Sequence, residues 1–177
     1  MFALKQDKNH EPLEFSDVFA HYSPFAWRVL ARLGVERRDV PDACQEVFLV
    51  VHRRLPEFDA SRANLRSWLY GICVRTASDY RRRHPSRRET NDDALHSLGV
   101  PATQEHSVDE ARAWKRLARV LDRLDSAQRS AFVLYELEAI SMNEVAAILE
   151  CPLQTAYSRL HAARRAVFEA FAVQEAR

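Results

Sequence analysis

Residues 139–168, AISMNEVAAILECPLQTAYSRLHAARRAVF, decide the fold, because they read as two short helices joined by a break. Ser141 followed by Glu144 has the form of a capping box, in which the hydroxyl satisfies one orphan amide and the carboxylate another. Val145, Ile148 and Leu149 then recur at helical spacing, and Cys151-Pro152 interrupts the run. Proline lacks the amide that would continue the ladder and suits the first turn of a new helix. Beyond it Ala156, Leu160, Ala163 and Val167 line one stripe. At about 100° per residue, Gln154, Ser158, His161 and Arg165 point the other way, with Tyr157, Arg159 and Arg164 on the flanks. This is the layout of a helix-turn-helix, whose second helix enters the DNA major groove. The plainer alternative is a helical hairpin with a solvated face.

Working outward, the whole chain favours helices. Only three glycines occur in 177 residues, Gly34, Gly71 and Gly99, and no Asn-Gly or Asp-Gly turn is present. A sheet would need more turn chemistry, so the expected fold class is all-α. A hydrophobic content of 47% supplies a core, and 29% charged residues argue against disorder. The net charge of +1 does not announce a nucleic-acid partner, but its distribution is uneven. Arg81, Arg82, Arg83, His84, Arg87 and Arg88 crowd together, and arginine far outnumbers lysine. Arginine suits bidentate phosphate or base contacts, although a GC-rich genome produces the same bias. Cys44, Cys73 and Cys151 are odd in number and far apart, so neither a disulfide framework nor a zinc site is expected. No signal peptide and no apolar run of roughly 18 residues is found, which points to a cytoplasmic chain without membrane insertion.

Hydrophobic periodicity divides the chain in two. Residues 1–13 are polar and expected to fray. A helix from about Glu14 to Leu33 carries Phe15, Val18, Phe19, Tyr22, Phe25, Val29 and Leu33 on one side, with Pro24 expected to kink or divide it and Gly34 to stop it. A second helix runs from near Asp39 to about Leu55, and a third from Ser61 or Asn64 to Arg83 with Leu65, Trp68, Leu69, Ile72, Cys73 and Ala77 inward. Residues 85–107 are rich in proline, serine, threonine and acid and read as a linker. After it Ser107 and Glu110 repeat the capping-box pattern, a helix reaches Leu124, and another, capped by Asp125 or Ser126, continues through Leu137. The expected architecture is a helical domain over 14–84, a flexible linker over 85–107 and a helical domain over 108–172 ending in the helix-turn-helix.

Three constellations carry possible chemistry. Asp42, Gln45 and Glu46 open the second helix, where the dipole favours acids. Val47, Phe48, Leu49, Val50 and Val51 spread hydrophobicity almost round it, so one face can serve the core and another a partner. On spacing alone the two readings are even. In the third helix, Tyr70 and Tyr80 are interleaved with Arg62, Arg66, Arg75 and Arg81 to Arg83, a mixture able to stack bases and neutralise phosphates. Trp68 falls on the inner stripe and is better read as core. The arginine run also fits a solvated helix end favoured by the dipole. Catalysis finds no support: the seven histidines are scattered, no P-loop, GxGxxG or HExxH occurs, and neither metal nor cofactor is called for.

Taken together, residues 42–55, DACQEVFLVVHRRL, and 58–83, FDASRANLRSWLYGICVRTASDYRRR, resemble conserved region 2 of the sigma-70 family. Residues 117–168 resemble its region 4. With these two regions and a short linker, the chain resembles an extracytoplasmic-function (ECF) sigma factor over about residues 14–168. The resemblance implies a non-catalytic initiation factor that binds core RNA polymerase through its β′ clamp and β flap, recognises promoter DNA and is held by an anti-sigma factor. It puts Asp42, Gln45, Glu46, Phe48 and Leu49 of the D-x-x-Q-E-x-F-L helix at the polymerase interface. It puts Arg62, Asn64, Arg66, Tyr70, Arg75, Ser78, Asp79, Arg81 and Arg82 at the −10 element, with a flipped base received in the loop from Pro56 to Asn64. The S-R-L-x-x-A-R helix would read the −35 element through Gln154, Thr155, Tyr157, Ser158, Arg159, His161, Ala162 and Arg165.

Departures from the family pattern bear on sequence preference. Tyr157 stands where Lys or Arg is usual, Ala162 where a basic residue is common and Gln154 where glycine is frequent, while Cys44 replaces an aliphatic residue. Two lost cations imply an altered −35 preference. The rival readings are a helix-turn-helix regulator with a dimerising or ligand-sensing N-terminal domain, which predicts a palindromic operator, and a helical adaptor that touches no nucleic acid.

Overall fold

The computed structural model describes residues 13–61, 64–83 and 108–175, and among these no strand occurs. The expected frayed N-terminus and the expected linker lie outside the described residues.

The first helix, α1 (Phe15–Arg32), runs uninterrupted through Pro24, burying Val18, Phe25, Ala26, Val29 and Leu30. The proline does not divide it, because apolar residues on both sides pack against the same neighbour, α2 (Val40–Arg54). Gly34 stops α1 as expected. It sits in the left-handed region at φ 93°, with Gly34 N–H bonded to Ala31 O at 3.0 Å and Val35 N–H to Leu30 O at 3.1 Å. That pair of reversed bonds is a Schellman cap. Pro41 occupies the first turn of α2, and a 3₁₀ turn (Leu55–Glu57) ends it. The third helix, α3 (Leu65–Arg83), packs against both α1 and α2 and buries Leu69, Ile72, Cys73 and Ala77.

The C-terminal half opens with α4 (Val108–Arg123). Asp125 caps α5 (Ser126–Phe132) by accepting from Gln128 N–H, and α5 passes into a π-helical turn over Val133–Leu137. The sequence suggested an unbroken α-helix there. The extra residue re-aims Glu138, which follows. The helix-turn-helix consists of α6 (Met142–Ile148) and α7 (Leu153–Glu175). Ser141 accepts from Glu144 N–H at 3.4 Å, but the Glu144 carboxylate takes the Ser141 hydroxyl at 2.8 Å and not a backbone amide. The turn closes with a second Schellman cap, Glu150 N–H to Ala147 O and Cys151 N–H to Ala146 O, that places Glu150 at φ 50°. Ala156, Leu160 and Ala163 are buried in the stripe the sequence indicates. A fully buried leucine such as Leu160 contributes about 2 kcal/mol.

The halves are docked on one another, and a single apolar cluster joins them. α3 lies against both α5 and α6. Two buried arginines cross the boundary. Arg129 donates to Arg32 O at 2.9 Å and to Asp122 Oδ1, and Arg81 donates to Leu33 O at 3.4 Å and Leu124 O at 2.7 Å. Each meets carbonyls at a helix C-terminus, where the dipole favours a cation.

Candidate nucleic-acid and polymerase interface

Along α2, Asp42, Gln45 and Leu49 are exposed and Glu46 is half-buried, at the i, i+3, i+4, i+7 spacing of one helix face. Phe48 is buried, so it supports this ridge from below and does not stand on it. Glu46 accepts from Tyr80 OH at 3.0 Å and lies 3.5 Å from Arg83, which ties the ridge to α3. Beside the ridge lies an apolar groove of about 730 Å³ lined by Phe15, Phe19, Pro24, Trp27, Phe48 and Leu49 among others. Leu49 at 54%, Phe19 at 46% and Trp27 at 45% exposure give it an unusually apolar rim for a surface.

The α3 residues are less uniform. Asn64 is exposed and accepts from Arg66 N–H at 2.8 Å, a local cap for the helix start. Arg66, Arg75 and Arg82 are exposed, Ser78 and Asp79 are half-buried, and Tyr70 and Arg81 are buried. Arg62 lies outside the described residues. Arg82 pairs with Asp79 at 2.9 Å within the helix. The others meet the C-terminal half: Tyr70 donates to Glu138 at 2.6 Å, Arg75 to Glu150 at 2.8 Å, and Arg81 to Leu124 O. Trp68 is half-buried against the Phe58 ring, with centroids 5.1 Å apart, and joins the core edge.

On α7, Gln154, Tyr157, Ser158, His161 and Arg165 are exposed, while Thr155, Arg159 and Ala162 are half-buried. The Tyr157 and His161 rings stack with centroids 6.5 Å apart, and the Ser158 hydroxyl donates to Gln154 O at 2.9 Å. Arg164 pairs with Glu136 at 2.6 Å and covers the Tyr135 ring.

Four titratable groups of the described residues depart from their ordinary values, and burial is the first cause in each. Burial, then the bond to Glu138, raises the Tyr70 phenol above its ordinary range. Burial and the bond to Glu46 push Tyr80 up to about 12. Burial also raises the thiols of Cys73 and Cys44, which keeps them protonated and unreactive. Among the described residues, no cluster of His, Cys, Asp and Glu has the makings of a metal site.

Two family models match the chain, Sigma-70 region 2 over residues 18–87 and Sigma-70, region 4 over residues 114–167. The ECF RNA polymerase sigma-E factor of Escherichia coli strain K12 is 33% identical over 138 residues, covering 73% of this chain and 72% of the relative. The sigma-E factor of Haemophilus influenzae is 30% identical over 143 residues, with 75% of each covered. The chain belongs to the ECF sigma factors of the sigma-70 family.

Solved structures agree on the fold. The sigma factor RpoE of Bartonella quintana, in complex with the anti-sigma factor NepR, superposes with a TM-score of 0.67 at 22% identity, covering 90% of this chain and 97% of that one. CnrH, in complex with the cytosolic domain of CnrY, gives a TM-score of 0.64 at 21% identity, covering 90% and 88%. As an alternative sigma factor this protein directs promoter-specific transcription initiation with RNA polymerase. The matched pair of regions, in the same order, favours that reading over a dimeric helix-turn-helix regulator. No helix of the described residues is long and apolar enough to cross a membrane.

Sequence reasoning about this sigma factor missed Trp27, Arg28 and Arg32 of α1. Trp27 lies off the Phe15–Leu33 stripe, and an aromatic residue outside the core face was the available signal. Arg28 and Arg32 resemble any solvated cations until Glu138 is placed beside them.

Proposed function

We propose that the α2 ridge of Asp42, Gln45, Glu46 and Leu49, with Phe48 beneath it, docks this sigma factor on the β′ clamp of core polymerase. The domain over 14–84 then reads the −10 element through α3, and the domain over 108–172 reads the −35 element through the exposed face of α7 and meets the β flap. The observation that carries this reading is the α2 ridge itself, a polar and apolar face turned away from the domain core beside a groove rimmed by Leu49, Phe19 and Trp27. An anti-sigma factor would cover the same surfaces; RpoE of Bartonella quintana is itself found in complex with the anti-sigma factor NepR. The protein would act without catalysis of its own, in the cytoplasm where polymerase works.

Co-elution with core polymerase tests the docking face. Asp42→Arg and Leu49→Ala should each weaken holoenzyme formation by roughly ten-fold or more, the scale of a central interface residue. Arg165→Ala should leave it unchanged while weakening −35 dependence. Intact assembly by both α2 variants would refute the assignment.

A further inference from the structure

Glu138 is the focus of a built site. Its side chain is only 2% exposed, and three guanidinium groups converge on it. Arg32 Nη1 lies 2.5 Å from Oε1, Arg28 Nη2 3.8 Å and Arg66 Nη2 3.9 Å from Oε2, and Tyr70 OH donates to Oε2 at 2.6 Å. Phe25 floors the cluster, with the Arg28 and Arg66 guanidinium carbons 5.7 and 5.4 Å from its ring centroid and Tyr70 edge-on at 4.7 Å. Arg66 Nη2 also donates to Tyr70 OH at 3.2 Å, and all four groups belong to the N-terminal domain. The carboxylate they hold arrives from the C-terminal domain, on the turn that the π-helical segment and Ala139 (φ 54°) direct toward α1 and α3.

Arginines that converge with a hydroxyl on two oxygens of a single anion match a phosphodiester as well as a carboxylate. Two of the four groups, Arg66 and Tyr70, are also among the α3 residues proposed to meet −10 DNA. Contacts from the C-terminal half fall along α3 at Arg66 and Tyr70, at Arg75 and at Arg81, a span of about 22 Å of helix at 1.5 Å per residue, with Arg75 about 140° round the helix from Tyr70. DNA bound through these side chains and the docked C-terminal domain therefore compete for the same groups.

We infer that Arg28, Arg32, Arg66 and Tyr70 form a binding site for a DNA backbone phosphate, which Glu138 occupies while the two domains are docked, so that the free sigma factor blocks its own −10 surface. The inference rests on the −10 reading of α3. It adds Arg28 and Arg32 of α1 to the DNA-contacting residues and makes Glu138 the internal competitor. Docking and DNA binding are then linked, and each must weaken the other by the same factor.

The test uses the full free chain and a fluorescein-labelled single-stranded oligonucleotide of mixed sequence, read by anisotropy. Glu138→Gln keeps the volume and removes the charge, and it should tighten binding roughly ten-fold, within the 5- to 150-fold range of coupled sites. Adding Arg32→Ala to that variant should erase most of the gain. Energy transfer between dyes at exposed His21 and Phe168 gives a readout on the unsubstituted cradle, and saturating oligonucleotide should lower it. Unchanged affinity in Glu138→Gln, a gain that survives Arg32→Ala, or energy transfer indifferent to bound DNA would each overturn the proposal. Arg82→Ala, away from the cradle, should weaken the probe in the holoenzyme whatever stands at 138. Failure there would refute the −10 reading of α3, whereas failure of the Glu138 variant with the Arg82 effect intact refutes the cradle alone.

Discussion

Tyr70 donates its phenolic hydrogen to Glu138 across 2.6 Å, although 68 residues separate the two in sequence. The bond joins the helix proposed to read −10 DNA with the turn that leads into the helix-turn-helix. It also gives the docked state a pH dependence whose sign is fixed. Burial first, and Glu138 second, raise the Tyr70 pKa in the docked fold. Below the ordinary tyrosine value of about 10 the phenol is protonated whether docked or not, and its contribution is present in full. Above that value the undocked or unfolded chain loses the proton first, so stability falls as pH rises. Energy transfer between the domains should therefore decline through the alkaline range. Tyr70→Phe should start weaker and lose that part of the decline.

Arg129 carries a different part of the domain contact. Its side chain is 2% exposed and bridges Asp122 to the Arg32 carbonyl at the end of α1. Arg129→Ala leaves a carbonyl and a carboxylate, both partly buried, without this donor. It should cost about 3–5 kcal/mol, the range for breaking a buried pair. Lysine should recover little, because a point charge cannot serve both acceptors at once. Urea unfolding of the two variants measures this.

Backbone strain makes two opposite predictions. Ala139 holds φ 54°, where a β-carbon is costly, and Ala139→Gly should stabilise the chain by about 1 kcal/mol. Gly34 needs φ 93°, and a β-carbon there would stand 2.7 Å from the Arg129 guanidinium carbon. Gly34→Ala should therefore destabilise, both through the left-handed turn and by pushing Arg129 off the Arg32 carbonyl. Denaturation midpoints at unchanged slope read out both effects.

For the −35 contact the informative change is an addition. Tyr157 is exposed on α7 beside His161, on the face proposed to read the −35 element. Tyr157→Lys should tighten holoenzyme binding to −35 duplex. It should also steepen the dependence of log affinity on log salt by about 0.9, the slope of one added phosphate contact. Arg165→Ala should move both quantities the other way.

What was legible in the sequence was local. The stripe Ala156, Leu160 and Ala163, the Gly34 stop and the Asp125 cap follow from period, φ preference and hydrogen-bond need, and each stands in the structure where its residues place it. Pro24 does not divide α1, because one absent amide weighs less than two turns of apolar packing around it. The π-turn over Val133–Leu137 left no mark in the hydrophobic pattern, since one inserted residue shifts the period only briefly. The Glu138 cluster was invisible for a stronger reason. Its partners Arg28, Arg32, Arg66 and Tyr70 lie far along the chain, and each has an ordinary reading as a solvated or core residue on its own helix. The face of α2 was half legible: spacing left its outer side open between core and partner, and the structure leaves Asp42, Gln45 and Leu49 exposed while burying Phe48.

The most direct test of the account is run-off transcription from a genomic fragment library, with core polymerase and the purified chain. Discrete transcripts should appear only when both are present, start downstream of an asymmetric pair of −35 and −10 sequences, and vanish with Asp42→Arg. Transcription indifferent to the added chain, together with tight binding of a symmetric duplex by a dimer of it, would contradict the account.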